Sequence, residues 1–218
     1  MSFSRKTALA AGVLYLITFA SIPTLSLYAA VEDPNYLTSG GADTPVIVGT
    51  LLELIVALAC IGTAVALFPV LKKQNEAVAL GFVGARVLEA STIFAGVVTL
   101  LTLVTLRQSG IGSDGLVTGH ALAAQYDWFR LGQGLLPVVN AVLLGFLLYR
   151  SRVVPRWLPI LAFIGAPLLL ASDIAIMFGA LAPHAPLAGL AALPIAAWEL
   201  SLGLYLVIRG FRPSAITA

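Results

Sequence analysis

Six runs of mainly apolar residues, each long enough to form a helix across a bilayer, leave this chain very few folds. A spanning helix needs about 20 such residues. The runs extend from about Thr7 to Ala30, Pro45 to Leu71, Ala77 to Leu106, Trp128 to Tyr149, Trp157 to Leu181 and Leu187 to Ile208. They are continuous rather than alternating, which favours helix over strand, and hydrocarbon admits only helices and closed barrels. Composition points the same way. Of 218 residues, 60% are hydrophobic and 10% charged, against about 25% charged in soluble domains, and no soluble domain of this size hides so much apolar surface. The expected fold class is all-α: a polytopic membrane bundle of six transmembrane helices forming one domain over residues 1–218.

Arg5 and Lys6 before the first run resemble the start of a signal peptide. The apolar stretch that follows is longer than the usual 7–15 residues of such a segment and no small-x-small cleavage site closes it, so an uncleaved first span is expected. Basic residues then orient the chain. Arg5, Lys6, Lys72, Lys73, Arg150, Arg152, Arg156, Arg209 and Arg212 fall at one set of span ends, and Glu32, Asp33, Asp43, Asp114 and Asp127 at the other, with Arg107 and Arg130. The alternation holds through all six spans and places both termini in the cytoplasm. "EDPNYLTSGGADTP" and "RQSGIGSDGLVTGHALAAQYD" are the longer external loops, with "GHALAAQYDW" as a short surface or capping helix. Pro69, Pro137, Pro159, Pro167 and Pro194 are expected to kink spans. Gly81, Gly84, Gly96, Gly132, Gly134 and Gly145 are expected at close helix crossings. No convincing repeat relates the two halves.

Ionisable residues inside spans are costly and mark function or packing. Glu53, Arg86, Glu89, Arg130, Asp173 and Glu199 lie within the apolar runs or at their lips. At about 1.5 Å per residue, Arg86, Glu89 and Glu199 share a middle layer, while Glu53, Asp173 and Arg130 share one nearer the outside. Arg86 and Glu89 are three residues apart, on one helical face. Arg86 is expected to bridge to Glu199, with Glu89 taking a second donor. Four carboxylates against two guanidiniums leave an imbalance that a proton, cation or water must offset. Asn140, Gln133, Ser172, Ser91, Thr92 and Trp198 are candidates to line the same cavity.

Other chemistries lack their residues. His120 and His184 both fall in external loops, so no haem is ligated between spans, and Asp114, His120 and Asp127 read as solvated loop residues rather than metal ligands. No span carries a lysine for a Schiff base or a serine–histidine pair. No Walker-type phosphate loop occurs. The lone Cys60 reads as a small buried hydrophobe. No catalytic residue, metal site or cofactor is picked out, and the net charge of +2 gives nothing for a nucleic acid to bind.

"RKTALAAGVLYLITF", "GARVLEAS", "LLYRSRVVPRWLPILAFIGA" and "WELSLGLYLVIRGF" together resemble a bacterial family of six-helix integral membrane proteins, domain of unknown function 4386. Arg86, Glu89, Pro155, Arg156, Trp157, Glu199 and Gly210 match its typical motifs. The resemblance implies the topology and supplies no chemistry.

The expectation is therefore a multi-pass protein of the bacterial plasma membrane that binds a small molecule or cation at an intramembrane polar site, as a transporter or sensor component. The site candidates are Glu53, Arg86, Glu89, Arg130, Asp173, Glu199, Asn140 and Trp198. A structural or partner-binding subunit whose charges only fix helix packing is the alternative, and an intramembrane enzyme stands third. The lipid bilayer is the partner the sequence identifies; it points to no particular protein.

Overall fold

The computed structural model describes residues 3–183 and 185–212, so His184 lies outside the described residues. Among the described residues seven α-helices follow one another: α1 (Phe3–Ile17), α2 (Thr24–Leu27), α3 (Thr44–Leu71), α4 (Glu76–Gln108), α5 (Leu116–Ser151), α6 (Trp157–Met177) and α7 (Pro186–Ile208). The first crossing is compound. α1 tightens into a 3-10 turn over Thr18–Ser21, and α2 restarts the helix after Pro23. Counting α1 and α2 as one crossing, six segments are long and apolar enough to span a membrane.

Local chemistry sets the ends. Asn75 caps α4, its side-chain oxygen accepting from the Val78 amide at 3.1 Å. Glu76 and Arg107 place opposite charges at the two poles of the α4 dipole. Arg152 adopts a left-handed conformation (φ 57°) and ends α5. Pro186 opens α7, where its missing amide hydrogen costs nothing.

Three helix bounds depart from the sequence reading by four residues or more, the first being the start of α1 at Phe3 rather than Thr7. α5 begins at Leu116, twelve residues before the expected Trp128, and the stretch read as a separate capping helix is its outer third. No proline interrupts the chain there, the run 121–125 is made of good helix formers, and Leu37 packs on Gly119. α6 stops at Met177 rather than Leu181, because the chain turns at Gly179 with φ +71°.

The spanning helices close into a ring. Each packs on its chain neighbours, and α1 packs on α7. At this seam Gly12 and Gly203 let the backbones meet: a Cβ on Gly12 would stand 2.8 Å from the Gly203 carbonyl oxygen. Gly96, Gly134 and Gly145 likewise meet close neighbours, whereas Gly84 faces open space and is not a packing glycine. Arg5 locks the end of the seam, donating to the carbonyls of Leu206 (3.0 Å) and Val207 (2.6 Å). The start of α1 and the end of α7 therefore lie on the same side of the bundle.

Exposure is inverted relative to a soluble protein. Leu58 (61%) and Val98 (63%) point outward, while Glu53, Arg86, Glu89, Asn140 and Asp173 are buried. Hydrocarbon outside and polar groups within is the arrangement a bilayer selects.

Candidate functional site

At the middle of the ring Arg86 is 1% exposed and holds two carboxylates. Nη1 donates to Glu89 Oε2 at 2.9 Å, one turn along α4, and Nη2 donates to Glu199 Oε1 of α7 at 2.9 Å. The expected bridge to Glu199 and the direct pair with Glu89 thus form together. The second donor to Glu89 is Asn140 of α5, whose Nδ2 lies 2.5 Å from Oε2. The guanidinium carbon stacks 5.0 Å from the Tyr15 ring centre and 5.9 Å from that of Phe82. Cys60, expected as a mere space-filler, places Sγ 3.6 Å from Nη1. The cluster thereby joins α1, α3, α4, α5 and α7.

Other candidates for this layer go elsewhere. Trp198 is wholly buried, but in the apolar core, and its indole nitrogen has no partner. Ser91 points outward and bonds the Val87 carbonyl of its own helix, and Thr92 bonds the Glu89 carbonyl.

The second expected layer divides. Glu53 Oε1 accepts from Tyr126 of α5 at 3.1 Å. The Tyr28 hydroxyl faces the same carboxylate without closing a well-formed hydrogen bond, and Glu53 Oε2 is buried without a donor. The two tyrosine rings meet edge to face at 5.7 Å. Above them opens a cavity of about 530 Å³ between residues 28–37 and the outer third of α5. Tyr28, Tyr126 and Arg130 line it, together with His120, Asp127 and Glu32. His120 Nε2 lies 2.8 Å from the Pro34 carbonyl, so that nitrogen carries the proton. Glu53 sits behind the Tyr126 wall and does not itself line this cavity, nor do Arg86, Glu89 and Glu199.

Asp173, expected at the same depth as Glu53 and Arg130, pairs with neither of them. It lies at the α5–α6 interface with its carboxylate against Gly134, and it forms no hydrogen bond or ion pair among the described residues.

The loop before α3 is clamped by a residue the sequence reading left as a topology marker. Arg107 at the end of α4 donates to Asp43 Oδ1 (3.0 Å) and to the carbonyls of Ser39 (2.8 Å) and Gly41 (2.7 Å). Its guanidinium also stacks 4.8 Å from the Tyr36 ring centre. Burial raises the Tyr36 hydroxyl above its ordinary range, and Arg107 pulls it partly back.

Polar groups walled in by apolar helices, with hydrocarbon-compatible faces outward, define a multi-pass membrane protein. Within that class the chain belongs to the family described as Domain of unknown function (DUF4386), whose model matches residues 10–210. No curated protein and no solved structure matches it.

Proposed function

We propose that the protein binds a small molecule in its outer cavity, with Glu53 as the buried acceptor beneath it, while the Arg86 cluster ties the ring together. The observation that supports binding is the cavity of about 530 Å³ whose Tyr28 and Tyr126 walls rest on a carboxylate with an unused oxygen. Small-molecule sites commonly measure 300–1,000 Å³ and pair apolar walls with a few convergent polar groups. Buried polar atoms normally find partners, so those left over call for a ligand or water.

A structural role for the charges is favoured only at Arg86, where both carboxylates pair directly at 2.9 Å. In some proteins buried ion pairs of this kind set which helix packs on which, and the pairs here reach from α4 to α7. Of the eight site residues of the sequence reading, Glu53 and Arg130 then make a binding set and Arg86, Glu89, Glu199 and Asn140 a packing set, while Asp173 and Trp198 belong to neither. The protein serves as a transporter or sensor component of the bacterial plasma membrane. Both termini face the cytoplasm, the side on which the basic clusters lie.

A thermal-shift screen of the purified protein against metabolites, lipids and ions tests the reading. Some compound should stabilise the native chain, and Glu53→Gln should abolish that shift while leaving the unliganded midpoint within a few degrees. A screen with no stabilising compound, or a shift that survives both Glu53→Gln and Arg130→Gln, refutes the cavity as the site.

A further inference from the structure

We propose that Asp173 is a proton-exchange site inside the membrane domain, cycling between carboxylate and carboxylic acid independently of the outer cavity. The residue is 5% exposed, and Oδ2 is sealed from solvent without a partner. Both of its oxygens press on the backbone of α5. A Cβ on Gly134 would stand 2.6 Å from Oδ2 and 2.9 Å from Oδ1, so the glycine makes the room the carboxyl occupies.

The charged groups of the neighbouring elements do not pair with it. Asp173 is the single charged residue of α6, and α7 contributes Glu199, which is held by Arg86. On α5 the residues flanking Gly134 toward the outside are Arg130, one turn away, and Asp127. Neither forms an ion pair with Asp173 within 4 Å, and both line the cavity, which Asp173 does not.

Among the described residues this carboxylate has no counter-charge within 4 Å, so, unlike the Arg86 cluster, it has no ion pair to give it a packing role, and an ionisable group of that kind within a span points to function. A metal cation needs several further oxygens around it, whereas a proton needs one. Protonation forms an O–H bond on a carboxylate oxygen using a proton from water, removes one negative charge from the α5–α6 interface, and is reversed when the proton returns to water. Asp173 stands four residues from the end of α6 at Met177, about 6 Å at 1.5 Å per residue, which keeps the aqueous source near.

Infrared difference spectroscopy of the native protein across a pH series tests this directly. A carboxylic-acid C=O band should appear and vanish with pH, and it should move to lower frequency when aspartate alone is carbon-13 labelled. It should be lost in Asp173→Asn and kept in Glu53→Gln. Gly134→Ala, which crowds the carboxyl without removing it, should displace the band. A band insensitive to aspartate labelling, or one that survives in folded Asp173→Asn, overturns the proposal. The labelling arm does so even if the variants fail to fold. Because the cavity's ligand plays no part in the measurement, a negative thermal-shift screen leaves this result readable.

Discussion

Arg86 and Glu199 are 113 residues apart in sequence and 2.9 Å apart in the bundle. That contact, with Tyr15 stacked on the same guanidinium, links the middle of the chain to both of its ends. The α1–α7 seam that closes the ring is thereby fastened at its centre by charge, at its crossing by Gly12 and Gly203, and at its end by Arg5. Ring closure is the feature on which the buried polar interior depends, since a gap at the seam would admit lipid to Arg86.

Removing Arg86 alone should therefore be severe. Arg86→Met strands Glu89 and Glu199, and breaking one side of a buried pair costs about 3–5 kcal/mol. Neutralising the carboxylates as well, in Arg86→Met with Glu89→Gln and Glu199→Gln, should recover most of that loss. Thermal unfolding in detergent reads both. A single variant as stable as the native chain would show that the cluster does not hold the ring.

The middle layer was legible in the sequence because charge in hydrocarbon is so costly that Arg86, Glu89 and Glu199 had to meet at a common depth. The outer layer was only half legible. Depth arithmetic gives height along a helix and nothing about azimuth, so it put Asp173 in one layer with Glu53 and Arg130 but could not tell that its carboxyl lies against Gly134. Tyr15, Tyr28 and Tyr126 gave no signal, because an aromatic residue in a span reads as packing until its neighbour is known. The early start of α5 was hidden by Gly115 and Gly119, whose loop-like appearance conceals a helix that Leu37 covers. Arg107 was visible as a charge at a span end, but its grip on Ser39 and Gly41 runs through backbone carbonyls, which no residue type announces.

Arg107→Lys should loosen the outer loop while keeping its charge. A lysine lacks the planar fork that reaches Asp43, Ser39 and Gly41 together. Hydrogen exchange at residues 36–43 should rise by about tenfold, equivalent to roughly 1.4 kcal/mol of lost local protection, with little change in the middle of α4. Unaltered exchange across the loop would mean that the clamp does not order it.

Gly12→Val tests the seam from the packing side. A Cβ at this position would stand 2.8 Å from the Gly203 carbonyl and 2.9 Å from the Val207 amide nitrogen, both of them backbone. Overpacking of this kind costs about 1–3 kcal/mol, so the unfolding midpoint should fall. Gly84→Val, which meets open space, is the matched control and should leave it nearly unchanged. Equal effects of the two substitutions would remove the special role of the α1–α7 crossing.

Orientation is testable with one reactive thiol at a time. Cys60 is the chain's single cysteine and is 1% exposed, so Cys60→Ala supplies a silent background. In that background Thr38→Cys sits in the exposed outer loop and Lys73→Cys in the exposed link between α3 and α4. On intact cells a membrane-impermeant maleimide should label the first and spare the second, which should react only after permeabilisation. The reasoning is electrostatic: Lys72 and Lys73 share their end of the bundle with Arg5 and Arg209, and basic clusters stay on the cytoplasmic side. The inverse pattern would turn the protein over and put the cavity on the cytoplasmic face, while labelling of both sites from outside would break the six-span topology itself.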